Sequence, residues 1–75
     1  MITIPALRNI GWSLKTVLEN AMWFKKGQFT MKMNRQDDFV KIGILTEEDK
    51  LKTYFYGKMT TMEKLERVLS KLNFN

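Results

Sequence analysis

The residues that could do chemistry in this 75-residue chain are lysines and aromatics. Lys32, Lys41, Lys52 and Lys58 fall in segments where polar and apolar residues alternate, and Tyr54 and Tyr56 share that alternation. A strand turns every second side chain to one face, so three adjacent strands would gather these six residues on one surface. Ammonium groups neutralise phosphates, and tyrosine rings are flat surfaces on which bases stack for ~1–3 kcal/mol each. The chemistry implied is capture of a single-stranded nucleic acid, with RNA as the leading ligand. A plain solvated face, or a face shared between two copies, is an alternative use of the same pattern.

Trp12, Thr16 and Trp23 form a second group. Leu7, Ile10, Leu14, Val17, Leu18, Ala21 and Phe24 recur at helical spacing and predict a long first helix over 7–24. On that helix the two indoles and Thr16 project from the side opposite the apolar stripe. A lone domain would leave both indoles in water, so this stripe is expected to be a protein interface, with a homodimer as its first occupant. The alternative to RNA binding is therefore a protein-only inhibitor or adaptor that docks through helix 1.

Catalysis has little material. The chain has no histidine and no cysteine, so Ser13 and Ser70 have no imidazole to act as base, and the commonest zinc ligands are missing. Asp37-Asp38 and Glu47-Glu48-Asp49 read as solvated turns, without the ligand spacing of a calcium loop. The four glycines are dispersed and make no phosphate loop. The expectation is a protein that is not an enzyme and uses no metal and no cofactor.

Size and charge bound the rest. Residues 1–75 make one domain. A chain this short is marginal alone, and without disulfides oligomerisation is the natural additional source of stability. The net charge of +5 suits an acidic partner such as nucleic acid. Met1-Ile2-Thr3-Ile4-Pro5 lacks the basic and then apolar pattern of a signal peptide, and no apolar run reaches the ~18–20 residues of a membrane span. A cytoplasmic protein is expected.

The elements that must position these residues follow from local signals. Thr3 is a candidate N-cap, with Pro5 tolerated in the first turn. Lys25, Lys26 and Gly27 would close helix 1, the cations opposing the dipole and the glycine serving as C-terminal cap. Strands are expected over 28–34, 39–45 and 51–58, joined by the turns 35–38 and 46–50. Met31, Met33 and Met62 read as core filler, while Met22 and Met59 read as edge residues of an adaptable surface. A last helix is expected from Thr60, with Thr60 and Glu63 as a capping box and Met62, Leu65, Val68, Leu69 and Leu72 as its apolar stripe. The fold class is thus α+β, in the order α-β-β-β-α: a three-stranded antiparallel sheet with two helices on one face.

That order, with Gly57-Lys58-Met59-Thr60-Thr61-Met62-Glu63-Lys64 leading into the last helix, resembles the double-stranded RNA-binding domain. The resemblance implies that Gly57, Lys58 and Lys64 grip phosphates at the helix opening; the consecutive lysines of that family are missing here. Met31-Lys32-Met33-Asn34 and the tail Lys71-Leu72-Asn73-Phe74-Asn75, in a compact basic chain free of Cys and His, look like the small early proteins of T-even phages. This second resemblance implies a host-takeover or counter-defence role in the host cytoplasm, such as inhibition of a toxin–antitoxin system or of an RNA-bound toxin.

Overall fold

The computed structural model describes residues 2–72. In chain order its elements are α1 (Ile4–Asn9), β1 (Ser13–Val17), β2 (Ala21–Lys26), β3 (Phe29–Asn34), β4 (Phe39–Leu45), β5 (Leu51–Lys58) and α2 (Met62–Lys71). The strands form a single five-stranded antiparallel sheet in the order β1-β2-β3-β4-β5, every strand paired with its neighbour in sequence. This corrects the expected α-β-β-β-α order and its three-stranded sheet. The segment expected to be a long first helix is a short helix followed by two more strands, and the topological likeness to the double-stranded RNA-binding domain loses its basis with it.

The reason lies at Gly11. α1 opens on Thr3, whose hydroxyl accepts from the Ala6 amide at 3.2 Å, with Pro5 in the first turn. The helix ends six residues later because Gly11 takes φ +95°. The Gly11 amide then donates to the Arg8 carbonyl at 3.0 Å, and the Trp12 amide to the Leu7 carbonyl, also at 3.0 Å. This pair of bonds is a Schellman motif, which commonly carries an apolar contact between the same two turns. Here Leu7 and Trp12 both sit in the core at 1% exposure. Periodicity suggested a continuing helix, but a glycine flanked by an apolar residue four back and one ahead stops it.

Beyond the stop, residues 13–26 form a hairpin. The Leu18 amide donates to the Ala21 carbonyl at 2.7 Å, and Leu14 stands opposite Phe24. Lys26 and Gly27 do not close a helix of their own. Lys26 Nζ reaches back to the Ile10 carbonyl at 2.7 Å and so tethers the end of α1 to β2. Gly27 takes φ +58° at the first central position of the β2–β3 connection, a position where hairpin turns favour glycine.

β4 and β5 have the expected bounds, with one irregularity. Ile42 stands opposite Phe55 and Gly43 opposite Thr53, so Tyr54 is the extra residue of a bulge. A Cβ on Gly43 would lie 2.1 Å from the Lys52 carbonyl oxygen, so only glycine lets β5 approach this closely. α2 begins one residue later than its expected cap. Thr61, not Thr60, accepts from the Lys64 amide at 3.2 Å, so Lys64 rather than Glu63 holds the third position and the capping box is not formed.

One apolar cluster joins the helices to the sheet. Leu7, Trp12, Leu65 and Leu69 pack with Phe24, Met31, Val40 and Ile42, and Met33, Met62, Val68 and Leu72 flank them. Met59 is buried and Met22 packs half-buried against the same cluster, so neither is the surface residue expected of it. No helix among the described residues is long and apolar enough to cross a membrane. Of the tail likened to phage proteins, residues 73–75 lie outside the described residues.

The two tryptophans should therefore respond oppositely to truncation. Trp12→Ala removes a large core side chain at a cost of about 3–5 kcal/mol, against a total of about 4–11 kcal/mol for a chain of this length. Denaturation followed by circular dichroism should show Trp12→Ala destabilised by that amount or already unfolded, with Trp23→Ala folded and close to wild type in stability. A folded Trp12→Ala beside an unfolded Trp23→Ala would contradict this core.

Candidate nucleic-acid interface

The sheet has a second face, opposite the helices, and its central residues align in a row. Thr16 stands opposite Trp23, Trp23 opposite Lys32, Lys32 opposite Lys41, and Lys41 opposite Tyr56. The row crosses all five strands. Antiparallel alternation explains it: Phe24, Met31 and Ile42 turn into the core, so Trp23, Lys32 and Lys41 turn away from it. Neighbouring strands lie ~4.8 Å apart, so Trp23 and Tyr56 are separated by roughly 14 Å.

Each central lysine has an aromatic neighbour. Lys32 Nζ lies 5.4 Å from the Trp23 ring centroid, and Lys41 Nζ 5.3 Å from that of Tyr56. Such contacts are worth ~0.5–1 kcal/mol at exposed sites. They offset part of a cost, because like charges directly opposite one another across a sheet are destabilising. Among the described residues no acid forms an ion pair with either lysine. The five strands carry Lys15, Lys25, Lys26, Lys32, Lys41, Lys52 and Lys58 but no aspartate or glutamate. The acids lie in turns and in α2, and the one ion pair among the described residues, Lys50 with Glu48 at 3.7 Å, is an exposed turn contact.

Two depressions flank the row. A groove of about 250 Å³ at one end is lined by Lys15, Thr16, Trp23, Lys25, Thr30 and Leu45, among others. At the other end a smaller cavity of about 100 Å³ is lined by Lys32, Asn34, Phe39, Lys41 and Tyr56. Phe39 and Tyr56 stack there, with centroids 5.3 Å apart and planes at 25°, and Tyr56 is 62% exposed. Flat rings beside paired cations can hold a base and its phosphate together.

The structure regroups the residues singled out in the sequence. Lys32, Lys41 and Tyr56 come together as expected of one surface. Lys58, opposite Phe39, sits at its margin. Lys52 does not complete a stripe with Lys32 and Lys41, because the bulge at Tyr54 places it opposite Ile44. The Tyr54 ring instead meets Phe29 edge-on at 6.4 Å, with Lys52 Nζ 5.7 Å from its centroid. Of the expected protein interface, Trp12 is in the core. The exposed two-indole stripe that was to join two copies is therefore not formed. Thr16 and Trp23 belong to the lysine row instead. Gly57 and Lys58 end β5 rather than opening α2.

Phe39 and Asn34 are additions. Both were legible in the alternation, since Phe39 shares the phase of Lys41 and Asn34 that of Lys32. Asp37, Asp38, Glu47, Glu48 and Asp49 are exposed in turns, where Asp38 and Asp49 take positive φ and Asp37 accepts from the Phe39 amide at 3.1 Å. Comparison with protein-family models, with curated proteins and with solved structures finds no match.

Crowded lysines without counter-charges predict that salt stabilises the fold. Raising ionic strength from about 10 mM to 150 mM shortens the screening length from about 30 Å to about 8 Å. The melting temperature should rise over this range. A fall would show that attractive ion pairs, not lysine repulsion, dominate the surface.

Proposed function

We propose that the chain is a non-enzymatic binding protein that takes single-stranded RNA on the open face of its sheet. The row Trp23–Lys32–Lys41–Tyr56 carries the reading. Two cations held side by side at a cost in stability become favourable when a phosphate lies over them. The aromatic residues at either end offer stacking to bases of any sequence. At a rise of ~3.4 Å per stacked nucleotide, the roughly 14 Å between Trp23 and Tyr56 fits about four nucleotides running across the strands. A single strand suits this arrangement, because a duplex keeps its bases stacked inside and cannot offer them to rings on a sheet. We extend the proposal to a setting: with the compositional likeness to phage early proteins, the bound RNA would be host RNA, free or held by a host toxin, and the role counter-defence.

The test is equilibrium binding of a labelled, unstructured RNA by fluorescence anisotropy across a salt series. Wild type should bind with a steep logarithmic salt dependence. Lys32→Gln/Lys41→Gln should weaken binding and reduce the magnitude of that slope by up to ~1.4, at ~0.7 for each single-strand phosphate left without its lysine. Lys64→Gln/Lys71→Gln, on the exposed side of α2, should keep the wild-type slope. Equal slopes for wild type and the row variant would refute the surface. Absence of RNA binding would refute the function and favour a protein partner.

A further inference from the structure

Beside the lysine row runs a second row that is sunk where the first stands up. Lys25 lies opposite Thr30, and Thr30 opposite Gly43. These residues share the phase of Trp23, Lys32 and Lys41, so they belong to the same open face. Gly43 has no side chain to raise. Thr30 turns away from the core, between Phe29 and Met31, yet is only 5% exposed. It forms the floor of the groove of about 250 Å³, with Trp23 and Leu45 among the walls. The surface presented to the groove is mostly apolar, and Leu45 is 45% exposed there. Lys15 and Lys25 line it as well, both exposed, and no acid does. The furrow is tied to the bulge, because the close approach of β5 that puts Tyr54 out of register also requires the glycine at 43.

We propose that the groove beside Trp23 is a purine subsite, which takes one two-ring base of the bound strand; the inference rests on RNA binding by this face. Apolar walls call for a flat apolar body, and the two lysines call for a negative charge attached to it. A nucleotide has both, and the groove is continuous with the row through Thr16 and Trp23. Size selects among the bases. An apolar cavity of about 150 Å³ holds one six-membered ring, so about 250 Å³ leaves room for a second ring fused to the first. The cavity at the Tyr56 end, at about 100 Å³, falls short of one ring, so bases stack over it without entering. With few polar groups in the groove, preference follows the apolar area buried, and the larger ring system buries more.

The experiment compares two octamers that cannot pair with themselves, alternating adenosine–cytidine and alternating uridine–cytidine, on the full chain by anisotropy. A second buried ring favours the purine about three- to tenfold at one base. Half of the binding registers place adenine in the groove, so wild type should prefer the adenosine octamer about two- to fivefold. Thr30→Leu raises the floor and changes no charge. It should bring the two octamers to parity and keep the wild-type salt slope. Leu45→Ala, at an exposed position, removes a wall, should lower the preference too, and decides the point if Thr30→Leu fails to fold. Equal binding of the octamers by wild type overturns the subsite and leaves RNA binding standing. A preference undiminished in the folded variants places it on the other rings of the face and overturns the groove. Binding of neither octamer overturns the RNA reading and the subsite with it.

Discussion

The turn at Gly11 is the constraint on which the rest of the structure depends. A left-handed glycine lets the Trp12 amide close on the Leu7 carbonyl, and both side chains lie buried in the same core cluster. Had α1 continued, residues 13–26 would have been spent on helix. Because it stops, they become β1 and β2, the sheet grows to five strands, and Trp23 lands opposite Lys32. One bond pattern thus decides the width of the sheet and the composition of its open face.

That face carries a local cost in stability. Sheet stability favours opposite charges or aromatic pairs across strands, and this chain has acids to supply them. It keeps them in turns and in α2, and sets Lys32 against Lys41. The aromatic neighbours at 5.4 and 5.3 Å soften the repulsion without removing it. A local rule broken in a domain this small is expected where a ligand completes the interaction. The bulge at Tyr54 adds to the pattern, since it takes Lys52 out of line and leaves the row ending on the stacked Phe39–Tyr56 pair.

How much of this was legible in the sequence depended on the range of the deciding interaction. β4 and β5 could be read to their ends, because alternation of Val40, Ile42 and Ile44 with Lys41 and Gly43 is local. The apolar stripe of α2 was equally plain. The first third of the chain misled, because Leu7, Ile10, Leu14, Val17 and Leu18 match a helix while Leu14 also suits a strand that faces Phe24. The tie was broken by Gly11 and by the burial of Trp12, a contact that a helical wheel cannot represent. For the site, the lysines and Tyr56 were visible as a type of surface. Trp23 reads as an exposed anchor from the sequence, but it sits on β2 and not on a helix. The displacement of Lys52 by one bulged residue follows from Gly43 and the close approach of the β5 backbone, which alternation alone does not reveal.

The most direct test of the central claim is to map whether, and where, RNA touches the chain. Backbone amide shifts of the isotope-labelled chain, followed by nuclear magnetic resonance during titration with a uridine octamer, report every strand at once. The row predicts that the largest changes fall at Thr16, Trp23, Lys32, Lys41 and Tyr56, with Asn34 and Phe39 beside them, while Glu63, Arg67 and Lys71 on α2 stay still. Changes concentrated on α2, or spread evenly over all lysines, would contradict an interface on the open face of the sheet.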